Sequence, residues 1–233
     1  MKLGILKTDD VRPEWVVEHG EYADMFVALL HQVDPTLEFA VFDVQRDEYP
    51  DDLDSVDAYL ITGSKASVYD DIPWINTLAE FVRKLRQRRK KLIGICFGHQ
   101  MIAQALGGST EKSAKGWGVA RHTVTLTEQA QRFASAGTSF SILVSHQDQV
   151  VVPAEGAAVL AGSDFCPIAM CQLDEHILSF QGHPEFLPAY SQRLLDLRRD
   201  IYGEALYQQG LASLALPLDQ RLVAGWIVDF IRG

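Results

Sequence analysis

The sequence has no apolar run of bilayer length, and the short apolar stretch within residues 1–7 is too brief for a signal peptide. It has only three cysteines, an odd number without the spacing of a disulfide framework. Together these absences predict a cytoplasmic chain that is neither secreted nor embedded in a membrane.

Positive charge is also scarce. The chain has 21 Lys and Arg residues against 31 Asp and Glu residues, which gives a formal net charge of −10 at pH 7. Phosphate backbones and anionic lipid surfaces repel such a chain at long range. We therefore expect neither a nucleic-acid partner nor a membrane partner.

Patterns for metals and nucleotides are missing as well. The histidines form no recognisable ligand pattern, and the spacing of Cys166 and Cys171 does not match the usual zinc pairs. No Walker A pattern occurs, and the chain has no room for an ATP-binding domain. We expect no metal and no cofactor, and we expect both cysteines to be buried packing residues.

The hydrophobic pattern predicts an α/β fold. Strand signals at 3–7, 38–44, 58–62 and 92–96 alternate with helix signals at 15–33 and 74–89, which is typical of a parallel open sheet with helices on both faces, as in flavodoxin. Later strand signals follow one another without long helices and predict an antiparallel extension of the sheet. Two helices, near 189–201 and 218–231, close what we expect to be a single domain over residues 1–233.

One segment resembles a nucleophile elbow. Apolar residues suited to a buried strand lead into Gly94-Ile95-Cys96-Phe97-Gly98, and a helical pattern follows and stops at Gly107-Gly108. A turn this tight needs small residues beside the nucleophile, as in the G-x-S-x-G elbow of hydrolases. A cysteine at a helix N-terminus also has its reactive thiolate form favoured. The alternative is a small buried cysteine at a strand end.

A second segment supplies a base for that cysteine. The run Gln181-Gly182-His183-Pro184-Glu185 follows the apolar residues 177–180, so His183 is expected just past a strand end. A cysteine nucleophile needs a base, and the base needs an acceptor that orients it. Glu185 can be that acceptor, two residues away across a proline. Taken alone, His183 would be better interpreted as an ordinary loop histidine.

These two segments, in this order and separation, resemble the class I glutamine amidotransferase family. The strand and glycine turn at 58–69 agree, because they resemble the segment that furnishes the oxyanion hole of that family. Many members carry two adjacent glycines where this chain has Gly63-Ser64, which leaves open which of these two amides donates. The resemblance implies that the amide of Phe97, directly after the nucleophile, is the other donor.

The resemblance also implies a substrate site. It places Gln100 and the segment Ser145–Gln149, which includes His146, near the α-amino and α-carboxylate groups of a bound glutamine. Gln100 is equally compatible with a capping or solvent-facing role on the first helical turn. Because the segment Ser145–Gln149 is too polar for a core strand, the sequence predicts a loop there.

The implied reaction is hydrolysis of the side-chain amide of glutamine through a thioester on Cys96, with His183 and Glu185 completing the triad. Three functions remain open. The sequence favours a glutaminase that supplies ammonia to a separate synthetase partner and rejects bulky γ-glutamyl amides. The second is a self-sufficient γ-glutamyl hydrolase or peptidase. The third is a regulatory relative without turnover, which an intact triad disfavours.

Overall fold

A computed structural model describes all residues from 1 to 233. The strands are β1 (Lys2–Lys7), β2 (Glu38–Asp43), β3 (Ala58–Ile61), β4 (Lys91–Ile95), β5 (Ser109–Lys112), β6 (Gly118–Leu126), β7 (Ser139–His146), β8 (Asp148–Val152), β9 (Ala158–Gly162), β10 (Met170–Leu173) and β11 (Ile177–Phe180). The α-helices are α1 (Pro13–His19), α2 (Tyr22–His31), α3 (Pro73–Gln87), α4 (Phe97–Ala105), α5 (Pro188–Leu197), α6 (Arg199–Tyr202), α7 (Glu204–Ser213) and α8 (Gln220–Arg232).

Nine of the strands form one sheet in the order β2-β1-β3-β4-β11-β10-β9-β6-β7. The pairs from β2 to β11 are parallel, and the pairs from β11 to β7 are antiparallel. The predicted α/β sheet with an antiparallel extension is therefore confirmed. Strands β5 and β8 pair separately in a small antiparallel sheet.

The parallel strands are buried on both faces because alternate side chains enter two different cores. Ile5 and Leu60 pack in a cluster with α2 and α8, whereas Leu6 and Ile61 pack in a second cluster with α3 and α4. Helices α5 and α7 cover part of the antiparallel half through contacts with β6. This sandwich holds the ends of the parallel strands in fixed positions.

The prediction of a single helix over 15–33 is wrong, because two helices, α1 and α2, occupy that stretch. Gly20 ends α1 with a positive φ of 74°, a conformation that costs glycine little. The backbone N–H of Glu21 then donates to the Asp24 carboxylate at 2.9 Å, which starts α2.

The loop predicted over Ser145–Gln149 is also wrong. Strand β7 continues to His146 through its ladder with β6, and β8 begins at Asp148. Ser145, His146 and Asp148 line a cavity, so the polarity of the segment reflects the surface it faces and not the absence of a strand. Strands β5 and β8 and helix α7 were not predicted.

No helix combines the length and the apolar character that crossing a membrane requires.

Candidate active site

The candidate residues meet at one edge of the sheet. Strands β3, β4 and β11 are parallel neighbours, and their carboxyl ends lead directly to Gly63, Cys96 and His183. Strand β1, also parallel, leads to Thr8 and Asp9 at the same edge. Ligand sites in open parallel sheets form at this edge, where the strands give way to loops.

Cys96 lies in a strained turn between β4 and α4. Its backbone has φ 51° and ψ −99°, a combination that residues with a side chain rarely adopt. A Cβ on Gly94 would lie 2.5 Å from the Cδ1 atom of Ile102, and one on Gly98 would lie 2.5 Å from the carbonyl oxygen of Ile61. The two glycines let the elbow pack tightly against its neighbours, as the sequence predicted.

His183 and Glu185 form a buried pair. Nδ1 of His183 lies 2.7 Å from Oε1 of Glu185, and the backbone N–H of His183 donates to the carbonyl of Leu143 at 2.7 Å. The imidazole ring stacks on Phe186, with the ring centroids 3.9 Å apart and the planes 6° from parallel. These three contacts fix both the position and the plane of the imidazole.

The charge state of His183 follows from its neighbours. Burial lowers the pKa of His183, but the negative charges of Glu185 and Cys96 outweigh burial and raise that pKa to about 10. The ring is therefore protonated at neutral pH. His183 and Cys96 both lie beside Gly63. A Cβ placed on Gly63 would be 2.6 Å from Cε1 of His183 and 3.6 Å from Cβ of Cys96.

The turn after β3 presents free backbone amides. Neither Gly63 nor Ser64 donates its N–H to a backbone carbonyl. The hydroxyl of Thr8 lies 3.1 Å from the carbonyl oxygen of Thr62 and 2.9 Å from that of Gly63. Because a trans peptide points its N–H opposite its carbonyl, Thr8 turns the Gly63 and Ser64 amides away from itself. On the other side of Cys96, the Phe97 amide is the first of α4 and has no acceptor inside the helix.

This arrangement predicts that Thr8 is a positioning residue for the oxyanion donors. Thr8→Val removes the buried hydroxyl that orients the two carbonyls, so we expect kcat to fall by roughly 10- to 100-fold with little change in KM, less than the loss of a whole donor. Steady-state hydrolysis of glutamine or a γ-glutamyl amide measures the effect.

Thr8→Ser is the matched control, since it keeps the hydroxyl and should restore most of kcat. Alkylation of Cys96 by iodoacetamide develops no oxyanion, and its rate should be similar in all three proteins. A Thr8→Val enzyme with wild-type kcat, or one whose alkylation slows in parallel with kcat, would contradict this role.

Gln181 was not predicted as a site residue. Its Nε2 atom lies 3.6 Å from Sγ of Cys96, close enough to donate a weak hydrogen bond to sulfur. Gln100 donates through Nε2 to Oε1 of Gln181 at 3.2 Å and to the carbonyl of Asp148 at 2.8 Å. The structure thus places Gln100 where it orients Gln181. The signal for Gln181 was its position two residues before His183, directly after a buried strand.

The other histidines near the elbow are poor bases. Burial lowers the pKa of His99 to about 4, and both ring nitrogens have partners, the hydroxyl of Ser179 at 2.8 Å and the carbonyl of Ile168 at 3.1 Å. Burial, together with His122, lowers the pKa of His146 to about 3. His183 is therefore the histidine at this edge that carries a proton at neutral pH.

Two cavities of similar size, about 190 and 220 Å³, adjoin Cys96 and share Ser64, Lys65, Ser145 and Arg198 in their linings. The histidine-side cavity is lined by His183, Gly63 and a group of aromatic residues. The Gln100-side cavity is lined by Gln100, His146 and other polar groups. Since their volumes are nearly equal, the chemistry of the walls must decide what each one binds.

Arg198 lies between the two cavities and lines both. It donates through Nη1 to the hydroxyl of Ser145 at 2.8 Å, and its guanidinium lies 5.3 Å from the ring centroid of Trp117. These partners are neutral, so its charge is available to a substrate carboxylate. Sequence reasoning missed Arg198, because nothing in the pattern of α5 and α6 sets it apart. Ser145 and His146, both predicted near the substrate, do line the Gln100-side cavity.

An α/β sheet with a cysteine elbow beside a histidine and a carboxylate has the parts that a cysteine nucleophile needs. The family model "glutamine amidotransferase class-I" matches residues 21–196. The chain belongs to the class I glutamine amidotransferase family.

Relatives with different names share this family. The chain is 31% identical to a glutamine amidotransferase-like protein of Schizosaccharomyces pombe, with 98% of both chains covered. It is 34% identical to gamma-glutamyl peptidase 5 of Arabidopsis thaliana, over 72% of this chain and 69% of that protein. It is 40% identical to the glutamine-hydrolysing GMP synthase subunit of Methanosphaera stadtmanae, over 40% of this chain and 50% of that protein.

Among solved structures, a glutamine amido transferase from Methylobacillus flagellatus superimposes with a TM-score of 0.74 at 18% identity, covering 99% of this chain and 93% of the other. This similarity shows the fold.

Proposed function

We propose that the chain hydrolyses γ-glutamyl amide bonds, those of glutamine included, through a thioester on Cys96. One observation carries the proposal: the pair of His183 and Glu185, 2.7 Å apart, adjoins a cysteine held in an elbow between two cavities. Nucleophile, proton carrier and orienting carboxylate are the parts that such a hydrolysis needs.

In the first half of the proposed reaction, the Cys96 thiolate attacks the γ-carbonyl carbon and forms a tetrahedral intermediate. Its oxyanion accepts hydrogen bonds from the Phe97 amide and from the amide of Gly63 or Ser64. The imidazolium of His183 gives its proton to the amide nitrogen. The C–N bond breaks, the amine or ammonia leaves, and a glutamyl thioester remains on Sγ.

In the second half, neutral His183 takes a proton from water while the water oxygen attacks the thioester carbon. The C–S bond breaks, glutamate leaves and the thiolate is restored beside the imidazolium. Glu185 keeps the ring oriented in both halves and stabilises its positive charge. The side chain of Gln181 donates to the sulfur of Cys96.

The structure favours the peptidase hypothesis over the glutaminase hypothesis that the sequence favoured. Ammonia needs no apolar contact surface, yet aromatic and aliphatic residues form part of the lining of the cavity beside His183. The similarity to gamma-glutamyl peptidase 5 covers more of the chain than the similarity to the GMP synthase subunit, 72% against 40%.

Ammonia supply to a partner synthetase is the second candidate. It is supported by the similarity to the GMP synthase subunit of Methanosphaera stadtmanae, a protein named for glutamine hydrolysis. In that case the histidine-side cavity would lie on the path by which ammonia leaves.

We propose that residues 1–233 act as one domain, which the continuous nine-stranded sheet from β2 to β7 supports. We also propose a cytoplasmic location, which the free state of all three cysteines supports, since disulfides are rare there.

The test is release of glutamate by the purified chain from glutamine and from γ-glutamyl-alanine. We expect both to be hydrolysed, with kcat/KM higher for the dipeptide. Acid quenching during turnover should trap a glutamyl group on Cys96, visible in the mass of the peptide that contains it.

A higher kcat/KM for glutamine would favour the ammonia-supplying candidate. If neither compound yields glutamate and no adduct forms on Cys96, the proposed hydrolysis is wrong.

A further inference from the structure

The position of His183 assigns the two halves of a substrate to the two cavities. The proton carrier must reach the leaving nitrogen, so the leaving amine has to lie on the His183 side of the sulfur. His183 lines the histidine-side cavity and does not line the Gln100-side cavity. The glutamyl half then occupies the Gln100-side cavity, whose walls are polar.

Part of the wall of the histidine-side cavity is aromatic and aliphatic, and the rest is polar or charged. Its apolar members are Trp15, Tyr22, Phe186, Tyr190, Leu194 and Leu197. The rings pack edge to face around Tyr190, with centroid distances of 6.0 Å to Trp15 and 4.9 Å to Phe186. The hydroxyls of Tyr22 and Tyr190 bond each other at 2.8 Å, so neither needs a polar group of a ligand.

The charged groups at this cavity are largely neutralised within the protein. Asp9 pairs with Lys65, Asp10 with Lys7, and Arg12 with Glu14. Arg198, at the border with the other cavity, is the lining cation without a carboxylate partner. A charged side chain on the amine half would therefore find few free counter-charges, whereas an apolar side chain would find the aromatic and aliphatic part of the wall.

We propose that the histidine-side cavity binds the amine half of γ-glutamyl substrates and selects amino acids or peptides with a large apolar side chain next to the scissile bond. This inference rests on the proposed hydrolysis. The wall then contacts a part of the substrate that glutamine lacks. Glutamine should therefore have the lowest kcat/KM among the γ-glutamyl amides.

The test compares glutamine, γ-glutamyl-alanine and γ-glutamyl-phenylalanine, the last two differing only in the side chain that the wall would contact. We expect kcat/KM to rise at least tenfold from the alanine to the phenylalanine dipeptide, as hydrophobic pockets typically discriminate. γ-Glutamyl-aspartate should be at least tenfold poorer than the phenylalanine dipeptide.

Leu197→Trp probes the wall directly. Leu197 is 46% exposed at the end of α5, so a larger side chain can be accommodated without repacking a core. Filling the cavity should lower the ratio of kcat/KM for γ-glutamyl-phenylalanine to that for glutamine at least tenfold. Leu222→Trp is the matched control, because Leu222 is 44% exposed on α8 and lines neither cavity, and its ratio should stay at the wild-type value.

Leu197→Asp is a second variant in case the tryptophan enzyme does not fold. Its carboxylate should repel the carboxylate of the dipeptide and lower the same ratio. Equal kcat/KM values for the three amides, or a ratio that neither Leu197 variant changes, would overturn the assignment of this cavity while leaving the hydrolysis intact. If no compound were hydrolysed and no adduct formed on Cys96, both the assignment of this cavity and the proposed hydrolysis would be overturned.

Discussion

Replacing Cys96 with alanine is expected to abolish hydrolysis of every γ-glutamyl amide. The sulfur is the only protein nucleophile in the proposed reaction, and removal of such a nucleophile typically costs at least about 10⁴-fold in kcat. Alanine fits the space of the elbow, because it removes one atom and adds none. The folded protein should therefore survive with its free energy of unfolding changed by about 1 kcal/mol or less. Glutamate release by equal amounts of the two proteins measures the loss.

The other two cysteines are internal controls. Both are buried, and burial raises the pKa of Cys166 and of Cys171 to about 12, so each stays a thiol at neutral pH. Iodoacetamide at pH 7 should label Cys96 first in the wild type and should label neither of the others in Cys96→Ala. Cys166→Ala and Cys171→Ala should lower stability by roughly 1–3 kcal/mol while turnover changes little. Hydrolysis by Cys96→Ala at one per cent of wild type would exclude Cys96 as the nucleophile.

His183→Ala is expected to have the second largest effect. It removes the group that protonates the leaving amine and later activates water, so we expect kcat to fall by at least about 10³-fold. Glu185→Gln keeps an oxygen within reach of Nδ1 but loses the charge that stabilises the imidazolium, so its loss should be smaller. Steady-state rates with glutamine and with a γ-glutamyl dipeptide give the order.

The pH profile separates a catalytic role for Glu185 from a merely structural one. In the wild type the charge of Glu185 helps to raise the pKa of His183, so activity that needs imidazolium is lost only as pH rises through that raised pKa. Glu185→Gln removes one negative charge, the pKa of His183 falls, and the alkaline limb of kcat/KM should move to lower pH. An alkaline limb in the wild-type position, or wild-type rates in both variants, would refute the triad.

The fold and the core of the site were accessible from sequence because their signals are local. A buried strand, a cysteine between small residues and a helix start are contiguous around Cys96, and His183 and Glu185 are two residues apart. Local patterns of this kind fix backbone conformation without knowledge of distant contacts. The strand alternation likewise predicted a parallel sheet that is observed.

The predictions that were wrong concern structure that depends on contacts between residues distant in sequence. The polarity of Ser145–Gln149 indicated a loop, but β7 and β8 obtain their backbone partners from β6 and β5, which are remote in sequence. Thr8 contacts Thr62, 54 residues away, and Arg198 contacts Ser145, 53 residues away. No periodicity records such contacts, although the place of Thr8 directly after a parallel strand was a usable hint.

The backbone of Cys96 bears on how descendants of this chain would evolve. Its φ of 51° is a conformation that costs a side-chain-bearing residue about 1–3 kcal/mol and costs glycine far less. A duplicated copy released from catalysis would lose this strain by exchanging the cysteine for glycine, at the cost of a buried side chain of the core. A lineage that keeps cysteine at this position also keeps the backbone strain, and selection for the reaction at Cys96 is what can maintain it.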